Sequence, residues 1–163
     1  MTDSITLRPL SFEAVPAVLE VYRQCEDFLA LGPVATASAE MVRADMEHAA
    51  REGSYYCGIF DAAGNLLGVV DYLPQGFEGR PDQAFLELLM IAAPYRSQGL
   101  GAAVVAMVEA DIRRNPNVTV ILSGVQVNNP GAVRFWQRQG YQVVSEPQVQ
   151  PDTTIAVRLR KPL

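Results

Sequence analysis

The chain is poor in the residues that most often announce a site. It has two cysteines, one histidine, one tryptophan and one lysine in 163 residues. Cys25 and Cys57 stand 32 positions apart, neither belongs to a CxxC pair, and His48 has no second histidine to join it. No metal site is expected from that set, and two isolated thiols fit a reducing compartment. Long apolar runs are missing as well. The longest stretch without charge, residues 115–133, carries four Asn, one Gln and two Pro, which excludes a bilayer span. The opening MTDSITLRPLSF lacks the apolar core of a signal peptide, so a cytoplasmic protein without a membrane partner is expected.

Positive charge is also scarce. Thirteen basic residues, of which only Lys161 is a lysine, face eighteen acids, for a net charge of −5. Such a surface repels phosphate backbones and argues against a nucleic-acid partner, while a small cationic partner would be attracted. What is present is ordinary globular material: 49% hydrophobic and 19% charged residues exclude a disordered chain. A single domain over residues 1–163 is expected, able to hide roughly 68–70% of its unfolded surface without metal or disulfide.

Periodicity gives the element order βααβββαβαββ. A strand is expected over 5–10, followed by a helix capped by Ser11, with Ala14, Val18, Val21 and Tyr22 as its apolar stripe. Ser38 caps a second helix running to about residue 51. Strands at 55–60 and 66–72 flank a Gly64-Asn65 turn and read as a hairpin. A Gly- and Pro-containing loop at 74–81 leads to a short, mostly apolar strand at 84–91, suited to burial on both faces. A helix at 99–115 buries Leu100, Val104, Val108 and Ile112. A strand at 118–125, a helix at 130–139 stopped by Gly140, and strands at 141–144 and 153–160 complete an α/β mixture on one central sheet.

The informative tract runs from Glu87 to Ala102, where a buried strand feeds a basic, Gly-containing turn that opens a helix. Free N–H groups and the helix dipole favour an anion there; Gly99 and Gly101 allow close approach, and Arg96 adds charge. A P-loop needs a Gly-Lys pair that the chain lacks, and a dinucleotide fingerprint needs a third glycine and an acid near residues 121–123, both missing. A pyrophosphate on another cofactor is left, beside the plain alternative of a close-packed turn.

The flanking residues extend this. Arg96-Ser-Gln-Gly99-Leu-Gly101 resembles the R/Q-x-x-G-x-G/A signature of the GNAT superfamily of acetyl-CoA-dependent N-acyltransferases. Asn129-Pro-Gly-Ala132-Val-Arg-Phe135-Trp136-Gln-Arg-Gln-Gly140-Tyr141 resembles its second motif, and the element order matches over nearly the whole chain. The resemblance implies a mixed, mostly antiparallel sheet of about seven strands flanked by about four helices. It further implies acetyl-CoA as cosubstrate, no metal, and transfer of an acetyl group to a primary amine by direct attack on the thioester. Amides around Ser97, Gln98, Gly99, Gly101 and Ala102 would hold the pyrophosphate with Arg96 nearby. Backbone groups at Ile91 would pair with the pantetheine arm and aim an N–H at the thioester oxygen, and Asn129 and Trp136 would line the cofactor. Homodimers are common in that family, and a homodimer is carried over here by analogy.

An ammonium must lose a proton before it attacks. Glu87, the only charged residue of its strand and four positions before Ile91, is the expected general base, and period-two alternation puts it on one face with Phe85, Leu89 and Ile91. The plain alternative is a carboxylate paired with an Arg or facing solvent. Many family members carry a Tyr acid where this chain has Trp136, whose indole N–H is not an acid of comparable strength. Without it, the thiolate leaves unprotonated or takes a proton from water. Cys57 reads as buried filler and Tyr141 as core. Seven acids between positions 20 and 52 (Glu20, Glu26, Asp27, Glu40, Asp45, Glu47 and Glu52) read either as a solvated face or as an acidic mouth for a cationic small-molecule or peptide amine, with Tyr22, Phe28, Tyr55, Tyr56 and Phe77 as aromatic walls. A non-catalytic acyl-CoA-binding or sensing module and a nicotinamide dinucleotide protein are the two alternative functions.

Overall fold

A computed structural model describes residues 4–163. Strand β1 (Thr6–Pro9) is followed by a single 3-10 turn at Phe12–Ala14 and then by α1 (Val15–Arg23). Ser11 does not cap α1. It precedes the 3-10 turn and its side chain makes no capping bond, while a proline in the first turn of α1 starts the helix. A one-turn helix α2 (Glu26–Leu29) fills part of the link to α3 (Ala39–Glu52). Ser38 does cap α3, accepting from the Met41 N–H at 3.1 Å, and Gly53 ends it at φ 77°.

β2 (Tyr55–Phe60) and β3 (Leu66–Leu73) form the expected hairpin. The Asp61 carboxylate closes its turn by accepting from Ala63 N–H, Asn65 N–H and Asn65 Nδ2, each at 2.9 Å. β4 (Gln83–Ile91), α4 (Leu100–Arg113), β5 (Val120–Gln126) and α5 (Pro130–Arg138) follow. Two-residue strands β6 (Gln142–Val143) and β7 (Gln148–Val149) precede β8 (Ile155–Pro162). β7 was not foreseen, because two exposed residues carry no readable alternation.

The sheet order is β1-β2-β3-β4-β5-β8-β6, with β7 also on β8. Every pairing is antiparallel except β4 with β5. The sheet therefore has two covered faces with two cores. Val15, Val18, Val21 and Tyr22 of α1 and Val42, Met46 and Ala49 of α3 pack on one face. Leu100, Val104, Val105, Val108 and Ile112 of α4, with Trp136 of α5, pack on the other. Fully burying each aliphatic side chain contributes about 1.5–3 kcal/mol, so each helix is fixed by a handful of residues. Lys161 joins three elements of the second face: its Nζ donates to both Glu109 carboxylate oxygens at 2.7 and 2.8 Å and to the Gln139 carbonyl at 2.9 Å.

Candidate active site

The site originates where β4 and β5 part. Their parallel ladder covers only residues 83–86 against 120–123. Past that point both strands continue, unpaired with one another, to Ile91 and Gln126. At the last rung the buried Ser123 hydroxyl donates to the Leu86 carbonyl at 2.9 Å. The divergence coincides with an irregularity in β4: Tyr72 pairs with Leu86 but Asp71 pairs with Leu88, so Glu87 is an inserted residue. Such a bulge bends its strand and adds twist.

The bulge corrects the expected facing of Glu87. Ala84 and Leu86 lie in the α4-side core, yet beyond the bulge Leu89 and Ile91 pack against that same core while Leu88 and Met90 belong with α1 and α3. Parity has switched across residue 87. Glu87 therefore does not share a face with Leu89 and Ile91; it looks toward α3, where Asp45, His48 and Glu52 act on its charge. Its side chain keeps access to solvent, but crowding by protein raises its pKa, with His48 opposing and the two acids adding to the rise.

The backbone of β4 supplies the second element. Ala92 N–H donates to Leu67 O at 2.9 Å, across from β3. In an antiparallel ladder the N–H and C=O of one residue point the same way and alternate along the strand. The groups of Leu89 and Ile91 thus point away from β3 and into the fork. The Ile91 carbonyl accepts there from Arg96 Nε at 2.9 Å and from Cys25 Sγ at 3.4 Å.

After a 3-10 turn at Ala93–Tyr95, the chain enters the turn that opens α4. Ser97 has φ 60° and Gly99 φ 79°, and Gly99 is the N-cap of α4. Left-handed residues interleaved with ordinary ones turn successive N–H groups to one side, the nest geometry that holds anions. Ser97, Gln98 and Gly99 are exposed and Ala102 lines the cleft. Gly101 lines the cleft too, and a Cβ there would stand 3.1 Å from the Phe135 ring, so it also permits α4 and α5 to approach.

Arg96 does not stand free in the cradle. Its Nη atoms hold the Asp27 carboxylate at 2.6 and 3.1 Å, and one also reaches the Gln24 carbonyl at 3.3 Å. The bidentate pair holds the Asp27 carboxyl below its usual range and raises the guanidinium further. On the opposite side, Asn128 Nδ2 donates to the Leu31 carbonyl at 3.0 Å. Residues 24–31 are thereby strapped across the fork, clamped to both of its arms.

The remaining expected residues line the same cleft, a space of about 770 Å³. Trp136 contributes to its wall but is only 6% exposed, set edge-on against Phe135 and Tyr141, so most of it is core. Asn129 lines the cleft too, with Oδ1 occupied in capping α5 through the Ala132 N–H at 3.1 Å. The acids of 20–52 are mostly a solvated face: Glu20, Asp27, Glu40, Glu47 and Glu52 are exposed, and Asp45 turns inward to accept from Tyr22 at 2.6 Å. Of the proposed aromatic walls, Phe28 lines the cleft, Tyr22 and Tyr56 are core, and Phe77 stacks on Phe85 at 4.1 Å.

Three residues of the region escaped the sequence reading. Arg138 lines the cleft and forms none of the ion pairs found among the described residues. Cys25 sits at the mouth with its thiol on Ile91. Asp71, 3% exposed, carries a carboxyl pushed up to about 6, chiefly by burial. A lone acid in the apolar run Leu-Leu-Gly-Val-Val-Asp-Tyr-Leu was the available signal for it, the same kind that marked Glu87.

The model of the acetyltransferase (GNAT) family matches residues 16–141. The chain belongs to that family. As a GNAT protein it is an acyltransferase whose donor is acetyl-CoA. No curated protein matches it in sequence. Among solved structures it is similar to an acetyltransferase from Thermus thermophilus, with TM-score 0.84, 21% identity and 99% of each chain covered. It is also similar to AAC(6')-Ib in complex with ribostamycin and coenzyme A, with TM-score 0.80, 19% identity, and 98% and 94% covered. A third is the spermidine N-acetyltransferase of Vibrio cholerae in complex with CoA and spermine, with TM-score 0.72, 16% identity, and 98% and 95% covered. The GNAT fold thus extends over the whole described chain. Among the described residues no group of side chains could hold a metal ion, and no helix is long and apolar enough to cross a membrane.

Proposed function

We propose that the chain transfers an acetyl group to a primary amine of a small cationic molecule, with Glu87 as the proton acceptor. The observation that carries this reading is the unpaired edge of β4 past Glu87, running directly into the nest at Ser97 and Gly99. The cleft fits coenzyme A in kind: left-handed backbone, a helix N-terminus and Arg138, which joins no ion pair among the described residues, for its phosphates, and the outward-pointing strand groups of Leu89 with the Ile91 N–H for its amide-bearing arm. Asn129 and Trp136 form the facing wall. Acetyl-CoA supplies a thioester carbonyl that a neutral amine can attack.

The protein's own groups then have distinct tasks. The Ile91 N–H, directed into the fork, stabilises negative charge on an oxygen placed there. The electronegative surroundings of Glu87, with Asp45 and Glu52 against the single His48, draw in an ammonium and hold it near a carboxylate whose raised pKa suits proton uptake. An amine of lysine type, with reference pKa of about 10.4, gives up its proton to Glu87 directly or through water. Trp136 offers no hydroxyl, so the leaving sulfur takes its proton from solvent. Two of the similar structures hold amine ligands, ribostamycin and spermine, in keeping with a cationic acceptor here.

The test is release of thiol from acetyl-CoA in the presence of a panel of monoamines, diamines, aminoglycosides and peptides. Turnover on cationic small amines is expected; tight CoA binding with no turnover on any amine would reject the reading.

A further inference from the structure

Asp71 is a buried carboxylate that the reaction as derived does not use. Its residue is 3% exposed and its Oδ1 has no hydrogen-bond partner. With Val69 it points to the α1/α3 face, between Tyr56 on β2 and Leu88 on β4. Leu88 is the cross-strand partner of Asp71 and Glu87 is the inserted residue beside it, so the two acids lie on neighbouring strands of that face.

The charged and polar groups around them come from three elements and the turn after α3. α3 presents Asp45 and His48 to both carboxylates and Glu52 to Glu87. α1 presents Tyr22, whose hydroxyl joins Asp45 and Tyr56 at 2.6 Å each. β2 presents Tyr56, and both it and the Cys57 thiol on the other face of the sheet are pushed up in part by the Asp71 charge. Ser54, just past α3, is the one hydroxyl that favours Asp71 ionised. His48 is the basic residue whose charge favours the ionised form of both carboxylates. The Glu87 charge raises Asp71, and carboxylates linked in this way do not titrate independently.

We propose that Asp71 and Glu87 bind a proton as a pair, with Asp71 the positioning residue that sets how strongly Glu87 takes the proton of the incoming ammonium. The inference rests on Glu87 being that acceptor. In the step, an N–H bond breaks and its electron pair stays on nitrogen, which becomes the nucleophile; an O–H bond forms on Glu87. The Asp71 charge beneath strengthens that new O–H bond. The proton later leaves to water through the open side of Glu87, and the pair is restored. Burial and the Glu87 charge both raise Asp71, and the nearby Ser54 hydroxyl, which donates to the Ala49 carbonyl at 3.4 Å, opposes them.

Carboxyl carbon-13 NMR titration of the ligand-free protein tests the pair, alongside kcat/KM against pH. In Glu87→Gln the Asp71 midpoint falls by roughly one pH unit, the scale on which coupled sites stop titrating separately. In Asp71→Asn the Glu87 midpoint and the acid limb of kcat/KM both fall, and turnover at neutral pH drops roughly threefold to tenfold. Midpoints that stay put overturn the proposal. Should Asp71→Asn fail to fold, Glu87→Gln still reports the coupling from a solvent-facing position. Because the titration needs no turnover, coupled carboxylates in an inactive protein would reject acetyl transfer alone, and uncoupled ones in an active protein would reject the pair alone.

Discussion

The Ser123 hydroxyl donates to the Leu86 carbonyl at 2.9 Å on the last rung that β4 and β5 share. One side chain thus satisfies the carbonyl at the apex of the fork, where no further strand partner exists. Ser123→Ala leaves that buried acceptor unpaired at a cost of about 1–3 kcal/mol. Thermal melting should register the loss, and the KM for acetyl-CoA should rise as the fork loosens.

Gly68 faces the other edge of β4. A Cβ at this position would lie 2.2 Å from the Met90 carbonyl oxygen, a distance that only movement of the strand can relieve. Gly68→Ala is expected to cost roughly 1–3 kcal/mol and to lower kcat by shifting Ile91. Gly53→Ala is the control. Its Cβ meets nothing within 4 Å, and its φ of 77° alone makes it destabilising, with kcat unchanged.

Glu87→Gln removes the acceptor but leaves the nest and the fork. At pH 7, kcat/KM should fall on the order of 10²-fold. The deficit should shrink as the pH approaches the pKa of the amine, because a neutral nucleophile needs no base. A deficit independent of pH would remove Glu87 from proton transfer.

Asp27→Asn releases Arg96 from its bidentate partner. The Asp27 side chain is 67% exposed, so the pair adds only about 0–1 kcal/mol and melting should hardly change. A guanidinium freed beside the nest should tighten CoA several-fold by calorimetry, and the gain should vanish in high salt. Weaker binding would mean that the 24–31 strap, more than the charge, organises the cleft.

Asp71 also makes a stability prediction. Its folded pKa of about 6 lies above the unfolded carboxylate value of about 3.9, so the folded state binds more protons between those values. Wild-type stability from this group is full below about pH 4 and is lost as the pH rises through 6. Asp71→Asn should therefore be the more stable protein at neutral pH, by on the order of 2 kcal/mol, with the advantage gone at pH 4. Melting of both proteins across that range measures the difference directly.

Most elements were legible from sequence pattern, because α1, α3 and α4 each bury a regular face and the 55–72 hairpin is two apolar runs around a Gly-Asn turn. The cradle was legible because Gly99 and the strand-to-helix transition are local. What was not legible came from pairing. The parity switch at Glu87 depends on β4 meeting β3 with one residue to spare, and no spacing within β4 records that. The capture of Arg96 by Asp27 joins positions 69 apart, so no local pattern records that this cation of the cleft is also a clamp. Asp71 carries the same signal as Glu87, a lone acid in an apolar strand, but no motif flanks it to mark it as functional.

Lys161 carries one more consequence. Thioesters acylate exposed lysines without any enzyme, and a protein that binds acetyl-CoA concentrates that hazard on itself. This chain has one lysine, and its ammonium is held by the buried Glu109 and the Gln139 carbonyl. The twelve arginines that make up the rest of its positive charge are inert to acylation. The catalyst thus presents no loose lysine amine to compete with its acceptor.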